Sequence, residues 1–513
     1  MRAEGKTEVK NSIGRLIFVA AAVLIQVGWF LVLVVRLNEY SVWISMASSI
    51  LALCAVLAIY GKRINAAFKM PWIILILSLP VLGISLYMVV GRSGVTRRMQ
   101  KRFARIDAEL DGLLKQDENA MRRLKERDLT AANQCRYISE WGGYPVWQNT
   151  DVAFYGDAAE GLNAQKEALR KAEKFIFMEY HAIEDAESFR GIRQILVEKA
   201  GQGVEVRVIY DDIGSIGFIN PEFIRRMEAD GIACRVFNPL IPVVNVFMNN
   251  RDHRKITVID GKVGFTGGYN LANEYFNLTH PYGHWKDTGI RISGDAVRSL
   301  TVIFLEMWNA IKKTDVDYRR YLTDFPFCAE EDGFVQPYAD SPLDGEPMGE
   351  NVYMNVIKSA QRYVYFTTPY LIISDEMGRE LGLAAKRGVD VRIITPGIPD
   401  KKVVFRATRS YYAGLARDGV RIFEYTPGFI HAKQCVCDDR IATVGTVNLD
   451  YRSLFLHFEN GVWLYGCSAV GKIKEDFEQT FPVCEEVTEK YRGKRTASLR
   501  VGQYLLRLLS PLM

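Results

Sequence analysis

Apolar residues are concentrated in three segments near the amino terminus of the chain. Leu16–Val35 and Val42–Tyr60 are almost wholly apolar, and Pro71–Val90 is apolar but interrupted by Pro80. About 20 such residues are enough for a helix to cross a bilayer. We therefore expect residues 1–95 to form a membrane region of two or three helices.

The basic residues around these segments indicate an orientation. Lys and Arg precede the first segment and also follow the third, where Arg97 and Arg98 are adjacent. Because cytoplasmic loops carry an excess of Lys and Arg, both ends face the cytoplasm only if two of the segments cross. We predict a multi-pass cell-membrane protein in which Leu16–Val35 and Val42–Tyr60 cross and Pro71–Val90 is re-entrant or interfacial. The rest of the chain, after residue 95, then faces the cytoplasm.

Patterns of charged and polar residues predict helical segments before residue 146 and after residue 495. Residues 97–128 are highly charged and contain no Pro, so we assign 96–145 to a charged helical linker that begins near acidic lipid headgroups. Residues 496–513 place a polar stripe opposite several Leu, which predicts an amphipathic helix. This helix lies either in the membrane interface or against the folded domains between residues 146 and 495. The stripe consists of Arg500, Gln503, Arg507 and Ser510.

Between these segments, strand-like and helix-like stretches alternate, and the alternation occurs twice. In the first copy Phe175–Tyr180 is a predicted strand and Ala186–Ala200 a predicted helix, and Asp375–Lys386 is a predicted helix of the second copy. Residues 203–209 match residues 388–394 almost position for position. Strands that alternate with helices at this spacing indicate a largely parallel sheet covered by helices.

The repeat therefore predicts an α/β fold made of two duplicated halves. We place the halves at residues 146–330 and 331–495, and we expect them to share one cleft.

Each half contains the same short motif, His-x-Lys-x-x-x-x-Asp. The residues that define it are His253, Lys255, Asp260, His431, Lys433 and Asp438. Alternate residues of a strand share a face, so the His and Lys of each motif point the same way. The chain has only six His, and chance would rarely place two of them in one repeated frame.

The motif residues are suited to breaking and remaking a phosphodiester. One His can attack phosphorus, and the other can protonate the leaving oxygen. A Gly-containing turn after each motif leads to Asn270 and Asn448, and Lys and Asn suit the non-bridging oxygens of a phosphate. No cofactor is required. We expect no metal, because Lys is a poor ligand and no Cys or His pair has zinc spacing.

Two acids follow the motifs at equivalent places, Asp287 after the first and Glu459 after the second. We predict that each accepts a hydrogen bond from a motif His and so fixes its tautomer. Asp260 and Asp438 are then expected to be structural. Among the remaining His we expect His181, at the end of a predicted strand, to be a candidate for the site.

The other His residues are expected to be hydrogen-bonding loop or strand residues: His280, His284 and His457. The net charge of +5 is modest, so composition does not point to nucleic acid. The eight Cys show no disulfide-like spacing and are predicted to be reduced thiols in the cytosol.

The paired motifs resemble those of the phospholipase D superfamily. More narrowly, Asn249–Lys255, Phe265–Leu271, Trp285–Thr288 and Ser510–Leu512 resemble segments of bacterial cardiolipin synthases. The resemblance covers roughly residues 43–513. It departs from the family pattern at three positions and in an additional apolar segment. Those positions are Cys435 and Cys437, where aliphatic residues are usual, and Gly289, where a His is common.

The resemblance implies phosphatidyl transfer, in which two phosphatidylglycerol molecules become cardiolipin and glycerol. It also implies that His253 is the nucleophile and that His431 is the general acid and then the base. The expected partners are phosphatidylglycerol and membrane lipid, without nucleic acid, in a monomer or a homodimer.

Three alternatives remain open from the sequence. The intermediate could pass to a different alcohol or to water, as in another phosphatidyltransferase or a phospholipase D. A nuclease of the superfamily would not need apolar segments, and no basic and aromatic stripe supports it. A non-catalytic membrane scaffold is disfavoured by the complete motifs in both halves.

Overall fold

Each half of the catalytic region has its own β-sheet in the computed structural model. The structure describes residues 42–90, 94–220, 222–239, 250–493, 502–503 and 506–512, together with single positions between 21 and 35. The predicted segment Leu16–Val35 lies mostly outside these residues.

The amino-terminal helices are α1 (Val42–Tyr60), α2 (Ala66–Ser78) and α3 (Pro80–Val90). The third predicted segment is thus divided at Leu79, and α3 packs closely against α2, where a Cβ on Gly83 would lie 2.6 Å from the Cα atom of Ile76. Among the described residues, no helix combines the length and the apolar character that a membrane crossing requires. The crossing part of our prediction is therefore not confirmed.

These helices nevertheless carry many exposed apolar side chains. In α1 the exposed fraction of Leu51 is 60% and that of Leu57 is 62%. Other large apolar side chains exposed on the same helices are Met46, Ile50, Leu53, Ile74 and Leu77. A contiguous apolar surface of this kind usually marks a contact with a membrane or another protein.

The charged linker forms α4 (Gly94–Leu110), α5 (Glu118–Arg127) and α6 (Leu129–Gly142). It packs into the catalytic region, since the ring of Phe103 stacks on Phe458 with centroids 4.7 Å apart. At the carboxyl end the described residues also contact the catalytic region. Ser510 is 1% exposed, and the Arg507 guanidinium lies 4.6 Å from the ring centroid of Tyr411.

The two sheets have the same strand order. The first sheet runs β1 (Thr150–Tyr155), β8 (Gly289–Gly294), β6 (Val263–Gly267), β5 (Lys255–Ile259), β2 (Phe175–Tyr180), β3 (Glu205–Asp211) and β4 (Ala233–Phe237). The second runs β9 (Phe334–Asp340), β18 (Glu459–Tyr465), β16 (Ile441–Gly445), β15 (Gln434–Cys437), β10 (Tyr363–Thr367), β12 (Asp390–Pro396) and β13 (Arg421–Tyr425), with β19 (Cys484–Glu486) at its edge. The prediction of two duplicated α/β halves is confirmed.

The prediction of largely parallel sheets is wrong. Within the described strands of the first sheet, β2–β3 and β3–β4 pair in parallel, whereas the other neighbours are antiparallel. One of these antiparallel pairs follows from the short turn of residues 260–262, which joins β5 to β6 with φ angles of 55° at Asp260 and 67° at Gly261. A turn this short can connect antiparallel strands, while parallel strands need a long crossover.

Helices cover the sheets and also separate them. They are α7 (Ala158–Arg170), α8 (Glu187–Gly201), α9 (Phe223–Ala229), α10 (Val297–Ile311), α11 (Met348–Ser359), α12 (Asp375–Lys386), α13 (Lys402–Arg417), α14 (Tyr451–Phe455), α15 (Ser468–Thr480) and α16 (Thr488–Arg492). Helix α10 is buried from Ser299 to Ala310. The core that contains it also contains Phe177 of the first half and Val436 of the second, so the halves share one interior.

Candidate active site

A cavity of about 620 Å³ lies between the two halves. Its walls include His253 and Asn270 from the first half and His431 and Asn448 from the second. The predicted site residues of both halves therefore meet at one place. A second cavity, of about 660 Å³, is lined by linker and α10 residues and by neither motif histidine.

Short strands exchanged between the halves position the two histidines. The backbone N–H of His253 donates to the carbonyl of Phe458 in the second half, at 2.9 Å. In the reciprocal arrangement β14 (Gly428–Ile430) pairs in parallel with β7 (His284–Lys286), and the N–H of His431 donates to the Lys286 carbonyl at 2.7 Å. Each motif histidine is thus held by the half to which it does not belong.

The acids that follow the motifs are exchanged in the same way. His253 Nδ1 lies 2.9 Å from both carboxylate oxygens of Glu459, and His431 Nδ1 lies 2.7 Å from Asp287 Oδ2. Glu459 also accepts hydrogen bonds from the hydroxyls of Thr446 and Ser453. A carboxylate at Nδ1 makes that nitrogen the protonated one and leaves Nε2 as the basic nitrogen.

The aspartates of the motifs lie behind the site. Asp260 accepts from the backbone N–H groups of residues 173, 174 and 175, at 2.7–2.9 Å. Asp438 accepts from residues 361, 362 and 363 over the same range of distances. Neither aspartate lines the cavity. Both join the turn after the motif strand to the start of a neighbouring strand.

The motif lysines are buried beneath the histidines. Lys255 Nζ donates to the carbonyl of His253 at 2.6 Å, and Lys433 Nζ donates to that of His431. Burial lowers the pKa of Lys255 to about 8 and that of Lys433 to about 7. Each ammonium has two further N–H groups, and neither lysine is among the described residues that line the cavity.

The histidines are neutral in this state. Burial, reinforced by the two lysines, holds the pKa values of His253 and His431 well below the ordinary value. Burial also raises the pKa of Asp287 to about 6. A neutral imidazole with a free Nε2 is the form that can attack phosphorus.

The two asparagines occupy equivalent positions but differ in their contacts. Asn270 Oδ1 accepts from the N–H of Ala182 at 3.1 Å, and its Nδ2 donates to the hydroxyl of Tyr275 at 2.8 Å. Asn448 is 4% exposed, and its Oδ1 has no hydrogen-bond partner among the described residues. The amide of Asn448 is therefore the one with a polar atom left for a ligand.

Two further histidines line the cavity beside His253. The ring of His181 lies 4.9 Å from that of His253, and the ring of His457 lies 5.5 Å from it. We expected His457 to be a hydrogen-bonding residue outside the site; it does bond to Arg452, but it also forms part of the wall. The signal that could have identified it is its position two residues before Glu459.

Three side chains near His253 lie close enough together to be considered as a metal site. The possible ligand atoms of His253, His457 and Glu459 are within 4.8 Å of one another. The Glu459 oxygens already accept from His253, Ser453 and Thr446. A metal ion would have to replace these hydrogen bonds. The donor set therefore fits a hydrogen-bonded network better than a metal centre.

The surroundings of His431 are aromatic instead. The rings of Tyr275, Trp285 and Phe429 lie 5.3, 5.2 and 5.9 Å from its imidazole. The cavity thus has a polar end at His253 and an aromatic end at His431.

A duplicated α/β fold with paired histidines and lysines at one cavity defines a phospholipase D-like protein. Residues 166–308 and 353–481 match the family described as cardiolipin synthase, PLD-like domain. The chain belongs to this family. It is 33% identical over 471 residues to a cardiolipin synthase of Geobacillus kaustophilus, covering 91% of this chain and 93% of that protein.

Other relatives agree with this assignment. The chain is 34% identical over 481 residues to a cardiolipin synthase of Geobacillus thermodenitrificans, covering 93% of this chain and 94% of that protein. Among solved structures, phosphatidylserine synthase from Haemophilus influenzae superposes with a TM-score of 0.56 at 14% identity, over 74% of this chain and 99% of that one. At that identity the likeness shows the fold alone.

Proposed function

We propose that this protein is a phosphatidyltransferase that converts two phosphatidylglycerol molecules into cardiolipin and glycerol. The observation that carries the proposal is the pair of histidines in one cavity, each hydrogen-bonded at Nδ1 to a carboxylate of the other half. Membership of the cardiolipin synthase family supports the choice of substrate.

In the first step Nε2 of His253 attacks the phosphorus of the donor lipid. The bond between phosphorus and the glycerol oxygen breaks, and His431 protonates that oxygen, so that free glycerol leaves. His431 is neutral before substrate binds. The negative charge of the bound phosphate favours its protonated form, since an opposite charge nearby raises the pKa of an imidazole.

In the second step a hydroxyl of the acceptor phosphatidylglycerol gives its proton to His431 and attacks the phosphorus. The bond from phosphorus to His253 breaks, and cardiolipin forms. Lys255 and Lys433 stabilise the negative charge on the non-bridging oxygens in both steps. The choice of His253 as the nucleophile follows the family resemblance, and the histidine that carries a trapped phosphatidyl group would decide it.

The exposed apolar surface of α1 and α2 supports a membrane location. Phe68 in α2 packs edge-on against Tyr451 and Phe455 of α14, with ring centroids 5.6 Å from each. Tyr451 also lines the cavity. We infer that the cavity lies at the cytoplasmic surface of the cell membrane, where lipid headgroups can enter while the acyl chains stay in the bilayer.

The test is an assay of the purified protein with phosphatidylglycerol as the only lipid. We expect cardiolipin and glycerol in equal amounts, and a loss of several orders of magnitude in the rate for His253→Ala or His431→Ala. Phosphatidic acid as the main product would indicate a phospholipase D instead. Full activity of either histidine variant would refute the two-histidine mechanism.

A further inference from the structure

The proposed reaction brings two phosphates into one cavity. The donor phosphate lies between the motif histidines, above the two buried lysines. The acceptor lipid carries its own phosphate three carbons from the hydroxyl that attacks. A second anion so close to the first needs a cation of its own, because the two phosphates repel each other.

Among the described residues, the cavity wall carries three further cations, Arg251, Lys401 and Arg452. Arg251 is 2% exposed and already pairs with the buried carboxylate of Asp211 and with the carbonyl of Asn238. Lys401 has a highly exposed side chain, and its Nζ lies 3.9 Å from the carboxylate of Asp400. Neither is well placed to neutralise a second phosphate.

Arg452 differs from both. Its Nε donates to His457 Nε2 at 3.3 Å, and among the described residues no carboxylate lies within 4.0 Å of its guanidinium. The nearest acid along the chain, Asp450, caps helix α14 by accepting from the N–H of Ser453 at 3.0 Å. Burial lowers the pKa of Arg452 despite this acid, which is the behaviour of a cation without a direct partner.

Buried polar atoms next to Arg452 also lack partners. Asn448 Oδ1, four residues earlier in the chain, and His457 Nδ1 have no hydrogen-bond partner among the described residues. Both side chains line the same cavity. Buried polar groups are normally hydrogen-bonded, so this part of the wall is built for a polar ligand.

Comparison of the two halves sets Arg452 apart. It lies four residues after Asn448, and the residue four after Asn270 is Glu274. Both side chains line the cavity, at equivalent places in the duplicated fold. A carboxylate at one of these places and a guanidinium at the other distinguish the two ends of the cavity for a second phosphate.

We propose that Arg452 binds the phosphate of the acceptor lipid and so selects an anionic phospholipid, rather than water or a neutral alcohol, as the second substrate. The inference rests on the proposed phosphatidyl transfer. In this role Arg452 contacts the acceptor and takes no part in forming the phosphatidyl-histidine.

The test compares two acceptors in the same tube. The full-length protein acts on phosphatidylglycerol in detergent micelles that also contain radiolabelled glycerol. Label that enters phosphatidylglycerol reports transfer to a neutral alcohol, and cardiolipin reports transfer to an anionic lipid. Arg452→Gln is expected to lower the ratio of cardiolipin to labelled phosphatidylglycerol about tenfold or more, with exchange of glycerol retained.

Two further variants sharpen the result. Arg452→Lys keeps the charge and should recover part of the ratio. Arg190→Gln removes an exposed arginine of α8 outside the cavity and should leave the ratio unchanged.

The other outcomes overturn the proposal. An unchanged ratio in Arg452→Gln, or no recovery with lysine, would show that the charge does not bind the acceptor. Equal loss of both products would show that Arg452 only supports His457. If the wild-type protein makes neither product, the proposed phosphatidyl transfer itself fails, and the role of Arg452 fails with it.

Discussion

The exchanged carboxylates lead to a quantitative prediction for Glu459→Gln. The substitution keeps the shape of the side chain but removes the charge that faces His253 Nδ1 from 2.9 Å. The neutral amide can still turn its oxygen toward the imidazole, because the hydroxyls of Thr446 and Ser453 can rotate to accept from its NH2 group. The predicted defect is therefore loss of charge stabilisation rather than loss of the fold.

The size of the effect lies between two limits. A hydrogen bond to a charged group contributes about 1.5–3 kcal/mol, or roughly 10- to 150-fold in rate. Replacement of the buried carboxylate of a catalytic triad by its amide costs about 10⁴-fold. We expect Glu459→Gln to lower kcat for cardiolipin synthesis by about 10²- to 10⁴-fold, with a much smaller change in KM.

The change in kcat is measured from initial rates with phosphatidylglycerol micelles, and thermal unfolding of the same samples checks that the variant is folded. Glu350→Gln is the matched control, since Glu350 is also a buried acid of the second half and hydrogen-bonds Ser374 away from the cavity. A kcat for Glu459→Gln within about threefold of the wild-type value would refute the orienting role, given the limits above.

Further predictions concern pH, metal ions and topology. Because the pKa of Lys433 is about 7, the lysine loses its charge as the pH rises, so kcat/KM should fall above about pH 7. Lys433→Arg should move the start of that fall to about pH 8, where Lys255 loses its charge. Prolonged chelation with EDTA should leave cardiolipin synthesis unchanged, and restoration of lost activity by added divalent metal would contradict a metal-free mechanism. The topology can be tested in a variant that lacks the exposed Cys54 and Cys328. A Cys introduced beside Arg36 should react with an impermeant thiol reagent on intact cells, and a Cys introduced beside Arg98 should not. Labelling beside Arg98 would place the catalytic region outside the cell.

The ends of helices were predictable because they depend on residues next to them in the sequence. Helix α12 was predicted at both ends, and its start is fixed by Ser374, whose side chain accepts from the N–H of Met377. The strand directions were predicted wrongly, because the alternation of strands and helices does not reveal the short turn of residues 260–262 between two neighbouring strands. A turn of this length joins β5 and β6 as antiparallel neighbours.

The site was predictable in its composition but not in its connections. The repeated motif located both histidines, and the equivalent acids were recognisable from their place after each motif. The pairing of His253 with Glu459 joins residues 206 positions apart, and no local pattern encodes which histidine an acid will meet. Arg452 and His457 were missed for a similar reason, since the ring of His457 meets that of His253, and Arg452 reaches the shared cavity, only after the halves pack together.

The exchange of strands and acids between the halves has a consequence for the newly made chain. While the second half is still being synthesised, His253 lacks both the Phe458 carbonyl that holds its backbone and the Glu459 carboxylate that orients its ring. The first half therefore has no oriented nucleophile of its own during synthesis. A chain that ends before residue 458 therefore lacks the oriented His253 that the proposed phosphatidyl transfer requires.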